Sequence, residues 1–125
     1  MSVAAAPTKQ GEGEEFARCF SIKARGILSY RSDGRILIKG VGDADFKPYR
    51  LKKPDIPLEE WLSLKRQQLL SVERWCFEVT ELPSMDELEE WVLDSVVETP
   101  TGHSVEPDGC GPDGVPSWLR CLGLI

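Results

Sequence analysis

Histidine occurs once in this sequence, at His103, and the four cysteines (Cys19, Cys76, Cys110, Cys121) lie 57, 34 and 11 residues apart with no CxxC pair. The paired ligand spacings of a structural zinc site are therefore missing. Charges interrupt every apolar stretch well short of the about 20 residues that a membrane-spanning helix needs. A secretory signal is lacking too, because Val3 to Pro7 is too short for an apolar core and Glu12, Glu14 and Glu15 follow closely. The same acids, with no arginine among them, argue against a transit peptide. These absences predict a cytoplasmic protein with reduced thiols and no membrane partner, a Cys110–Cys121 disulfide being the lesser alternative. Cys19 and Cys76, in apolar surroundings, are expected as small core residues.

Motifs of catalysis are equally scarce. There is no G-x-S-x-G, and Gly40-Val41-Gly42-Asp43-Ala44-Asp45 matches neither a P-loop nor a complete G-x-G-x-x-G ahead of a helix. Asp43 and Asp45 lack the remaining ligands of a calcium loop. His103 and Ser104 are neighbours in sequence, which is not a triad geometry. Cys110 has no nearby Lys or Arg in its loop to lower its pKa. No residue is assigned a catalytic, cofactor or metal role, and an enzyme of unknown class stands as the third functional reading.

What is present suffices for one domain. Of 125 residues, 41% are apolar and 29% charged, ordinary values for a folded chain. Residues 1–15 are mainly Ala, Gly, Glu and small polar side chains, which cannot offset the entropy of ordering, so a flexible tail is expected there. Residues 16–125 form the expected domain. From Phe16 to Val41, β-structure is predicted: Phe20, Ile22 and Ala24 alternate with Ser21, Lys23 and Arg25, Gly26 interrupts, and Ile27, Leu28 and Tyr30 resume. Ser32-Asp33-Gly34 reads as a hairpin turn leading to a return strand over 35–41. A short third strand through Phe46 to Leu51 is confined to an edge by Pro48.

Helical spacing then places Leu58, Trp61, Leu62, Leu69 and Val72 on one face behind Pro57. Trp75 to Thr80 reads as a strand. Ser84 and Glu87 form an S-x-x-E capping box for a second helix, with Leu88, Trp91, Val92, Ser95 and Val96 as its buried stripe. Residues 100–116 are turn chemistry, including two Pro-Asp-Gly units, and the last ten residues turn apolar again. The expected fold is α+β: a small, mainly antiparallel sheet with two amphipathic helices in the order β-β-(β)-α-β-α, and an apolar C-terminal segment.

Charge is segregated along the chain. Residues 16–53 hold ten Lys or Arg against three Asp, whereas residues 75–125 hold eleven acids against Arg120 alone. Two docking faces follow from this: a basic hairpin face (Lys23, Arg25, Arg35, Lys39) with the stretch Arg50, Lys52 and Lys53, and an acidic helix presenting Glu89 and Glu90. Solvated faces with no partner are the plain alternative. Trp118, in the apolar ending, either folds back over the sheet or belongs to a docking peptide, and folding back is favoured because a free apolar end would aggregate.

The stretch from Arg74 to Pro83, Arg-Trp-Cys-Phe-Glu-Val-Thr-Glu-Leu-Pro, and the Pro-Ser-Trp-Leu-Arg ending at 116–120 resemble small cyanobacterial proteins with no assigned role. The resemblance implies a cytosolic protein and contributes no site. The leading expectation is thus a non-catalytic interaction or accessory subunit with a protein partner. Its alternative is a binder of nucleic acid or a small anion on the basic face, although no RRM, KH or helix-turn-helix signature appears.

Overall fold

The computed structural model describes residues 13–125. Four strands, β1 (Glu15–Ser21), β2 (Gly26–Arg31), β3 (Arg35–Lys39) and β4 (Lys47–Leu51), form an antiparallel sheet in chain order. Helices α1 (Leu58–Leu69), α2 (Arg74–Glu78) and α3 (Met85–Asp94) follow. A two-stranded sheet, β5 (Val97–Glu98) and β6 (Ser104–Val105), and a short helix α4 (Trp118–Cys121) complete the chain. The fold is α+β, as the sequence pattern predicts. No helix among the described residues is long and apolar enough to cross a membrane.

Of the expected 1–15 tail, residues 1–12 lie outside the described residues, 13 and 14 bond to the hairpin turn, and Glu15 is the first residue of the sheet. The Gly13 and Glu14 amides donate to the Asp33 carboxylate and the Ser32 hydroxyl, each at 3.0 Å. Glu15 opens β1, and its carboxylate accepts from Ser29 Oγ and from Arg18 Nε.

The first strand is shorter than its alternation suggests. It ends at Ser21, whose hydroxyl accepts the Ala24 amide at 3.1 Å and folds Ile22–Arg25 into a turn closed by Arg25 N–H to the Ile22 carbonyl. Gly26 is consequently the first residue of β2 and not an interruption. A Cβ there would lie 2.9 Å from the Lys39 carbonyl, so only glycine permits this close strand approach. The hairpin turn at Ser32-Asp33-Gly34 is present, with Gly34 at φ +94° donating to the Arg31 carbonyl. β4 is an exposed edge strand in which Pro48 stands opposite Leu37 beside a register shift, devices that discourage edge-to-edge pairing.

Residues 75–80 correct the sequence reading. Arg74–Glu78 is helical, and Trp75, Cys76 and Val79 are the buried positions while Phe77 is exposed. Adjacent buried residues followed by one a turn later fit a 3.6 period and not alternation. The cause is tertiary: α2 packs on β1, where Phe20 meets the Trp75 ring at 6.0 Å between centroids. Packing overrides the strand propensity of a Trp-Cys-Phe-x-Val run.

Because strand side chains alternate, the sheet contributes to two clusters. Phe20 and Ile27 join Trp75, Val79, Leu88, Val97, Trp118, Leu119 and Leu122 in the larger one. Leu28 and Ile36, on the opposite face, pack with Trp61 of α1. The C-terminal segment folds back, with Trp118 only 7% exposed and edge-on to Phe20 at 5.2 Å. Both Pro-Asp-Gly units form turns, Gly109 N–H bonding to the Glu106 carbonyl and Gly114 N–H to the Gly111 carbonyl. Buried Ser117 holds the segment down, its hydroxyl donating to the Pro107 carbonyl at 2.6 Å and accepting the Arg120 amide.

The capping box of α3 is complete: Ser84 Oγ accepts the Glu87 amide at 3.1 Å and the Glu87 carboxylate accepts the Ser84 amide at 3.2 Å. Replacing Ser84 with Ala should cost about 1 kcal/mol. Chemical denaturation of the two proteins measures it, and equal midpoints would deny the cap its role.

Candidate functional site

The α3 surface departs furthest from expectation. Of its predicted buried stripe, Leu88 is buried and Trp91 half-buried, whereas Val92 is 56% exposed and Val96 is exposed as well. Ser95 ends the helix in the left-handed region at φ +58°, which swings the chain round so that Val97, next in β5, enters the core. At about 100° per residue, Met85, Val92 and Leu93 fall between Leu88 on the buried side and Asp86 and Glu90 on the acidic side. Glu89 falls among the exposed apolar residues.

The opposite wall comes from the end of α4. Gly123, at φ +70°, donates to the Arg120 carbonyl, and Leu124 N–H donates to the Leu119 carbonyl at 2.8 Å. This hydrogen-bond pair is a Schellman motif, which brings the side chains of Leu119 and Leu124 together. Leu88 and Leu119 thereby floor a groove of about 370 Å³ walled by Met85, Val92, Leu93 and Leu124, with Glu89 at its rim. All five charged residues of α3 (Asp86, Glu87, Glu89, Glu90, Asp94) are acidic. Glu89 and Glu90 therefore edge an apolar surface, which their sequence context did not disclose. Met85 and Leu93 escaped the sequence reading, and Leu124, part of the apolar ending expected to cover the core, is instead exposed at the groove. The available signal was an apolar arc on α3 too wide for one buried stripe.

The seven basic residues predicted for the hairpin face and its neighbouring stretch do not converge. Lys23 and Arg25 lie in the β1–β2 turn, where Arg25 (φ +58°) crowds the C-terminal turn closely enough that a Cβ on Gly123 would stand 2.6 Å from its guanidinium. Arg35 and Lys39 share a face of β3, Arg35 Nε donating to Asp33 at 2.8 Å and the Lys39 ammonium lying 6.0 Å from the Phe46 ring. Arg50 pairs directly with Ile36, so it projects from the other face. The Lys52 ammonium is tied to the Ile56 and Lys53 carbonyls at 2.8 and 3.0 Å. Lys53 joins Arg50 at a separate groove against α1. The pleat divides what charge counting had pooled. Trp118 also leaves the docking set, since it is a core residue.

The loop histidine has a carboxylate neighbour but not a triad. His103 Nε2 is 3.7 Å from Asp113 Oδ2, which accepts the Thr101 hydroxyl at 2.6 Å. Thr101 thus donates to the acid and not to the imidazole, the reverse of a nucleophile–base pairing. Thr99 Oγ1 accepts the His103 amide, so the network fastens residues 99–115 to one another. Burial pushes the Cys76 and Cys121 thiols up to about 11, which keeps them protonated and poorly nucleophilic. All four cysteines are free. The described residues assemble no group of three or more His, Cys, Asp or Glu able to hold a metal ion.

Comparison with known protein families, with curated proteins and with solved structures finds no match to this chain. The α3 groove is its best-developed candidate site.

Proposed function

We propose that the chain is a non-catalytic interaction module whose docking surface is the α3 groove, and that the groove receives a basic amphipathic segment of a partner protein. The observation that carries this reading is a set of exposed large apolar side chains on a helix whose every charge is negative. Exposed apolar patches edged by polar residues mark interaction sites. Helix-in-groove recognition uses apolar anchors spaced a turn apart, with charge on the partner setting orientation and encounter rate. The free thiols fit a reducing compartment such as the cytoplasm.

A labelled helical peptide of Leu and Lys tests the proposal. It should bind the protein and lose affinity as salt rises. Val92→Asp should weaken binding at least about tenfold, the equivalent of about 1.4 kcal/mol. Its melting temperature should hold, because the side chain is exposed. Glu89→Lys with Glu90→Lys should flatten the salt dependence. Unchanged affinity in the Val92 variant would reject the α3 groove as the docking surface.

A further inference from the structure

A second groove, of opposite charge, lies between the end of β4 and helix α1. Arg50, Lys53 and Lys65 line it together with Leu51, Leu64 and Trp61, enclosing about 500 Å³. The Lys65 ammonium stands 4.3 Å over the Trp61 ring and donates to Gln68 Oε1 at 3.3 Å. Among the described residues, none of the three cations forms an ion pair, and no carboxylate lines the groove. Burial, and then the neighbouring Arg50 guanidinium, hold the Lys65 pKa below its ordinary value. The Lys65 ammonium is thus half-buried beside the exposed cations Arg50 and Lys53, and no carboxylate lines the groove with them. An anion entering the groove would relieve that repulsion.

The walls select among anions. Leu51 is 67% exposed and Leu64 is exposed too, an apolar rim that a bare phosphate would leave unused. Trp61, the only aromatic ring in the lining, is 6% exposed and capped by Lys65, so it offers no face on which a nucleic-acid base could stack. Lys53 is positioned by a fixed connection, since Lys52 is bonded to the Lys53 and Ile56 carbonyls.

We propose that this groove binds an acidic, aliphatic segment of a partner protein, its carboxylates meeting Arg50, Lys53 and Lys65 and its side chains packing on Leu51 and Leu64. The site is separate from the α3 groove and takes a ligand of opposite charge, so either can stand without the other.

The test uses the full chain and a fluorescein-labelled peptide of Glu, Asp and Leu, followed by anisotropy. Its Gln/Asn counterpart, a single-stranded DNA and inorganic phosphate serve as competitors. The acidic peptide should bind and the amide counterpart should fail to displace it. Arg50→Gln and Lys65→Gln should each weaken binding about tenfold at an unchanged melting temperature, and Leu64→Ser should weaken it as well. Val92→Asp should leave it intact, which separates this site from α3. Unaltered affinity in the Arg50 and Lys65 variants would overturn the proposal. So would displacement by the amide peptide, by the DNA (a nucleic-acid site) or by phosphate alone (a simple anion site).

Discussion

A chain truncated after Pro116 should fail to form the cooperative native state. The cut removes Ser117, Trp118, Leu119, Cys121 and Leu122, all buried. Each large apolar side chain fully withdrawn from water is worth about 1.5–3 kcal/mol. Three such residues therefore approach the about 5–15 kcal/mol that holds a small domain together. The loss is compounded because Phe20, Leu88 and Val97 would be left facing solvent, and an uncovered apolar surface of that kind drives association. Circular dichroism melting together with light scattering measures both effects. A truncated protein that melts like the full chain and stays monomeric would show that α4 is not core.

Phe20→Ala should be nearly as damaging, at about 3–5 kcal/mol for a large buried ring replaced by a methyl. Phe20 is 1% exposed and lies between two indoles, 6.0 Å from Trp75 and 5.2 Å from Trp118 in an edge-on geometry. Among the described residues it is the one strand residue that touches both α2 and α4 through aromatic contacts. The cavity left behind would sit where the sheet meets both helices, with little chance of collapsing. A melting temperature lower by more than about 10 °C is expected for a domain of this size. Phe20→Leu should recover part of the loss by refilling volume. If Phe20→Ala melts within about 2 °C of the parent, the packing described for this residue is wrong.

Much of this architecture could be read in the sequence, because local chemistry dictates it. Gly34, Ser84 with Glu87, Pro48 and the two Pro-Asp-Gly units each carry a backbone requirement that few other residues meet, and each sits where its chemistry demands. The misreadings arose where tertiary packing decides. Residues 75–80 have strand composition, but 75–78 are helical because β1 presents Phe20 to them. The alternation through Ile22 and Ala24 continued past a turn made by one serine hydroxyl. On α3 the apolar positions were legible, but which of them would be covered depended on Ser95 ending the helix and on the Schellman turn at Gly123. The basic residues were likewise legible as a count. Their division between faces follows from the pairing of Ile36 with Arg50, which no single strand reveals.

The contact between Phe20 and Trp118 also constrains when the domain can fold during its own synthesis. Nearly the whole described chain separates the two rings. At about 5–20 residues per second, the ribosome needs about 5–20 s to travel from one to the other. For most of that interval β1 and β2 are already made, yet the part of their apolar face that α4 will cover still lacks that cover. Native closure must await emergence of residue 122 from the exit tunnel. This nascent chain therefore presents Phe20 and Ile27 to chaperones for longer than a domain assembled from near neighbours would.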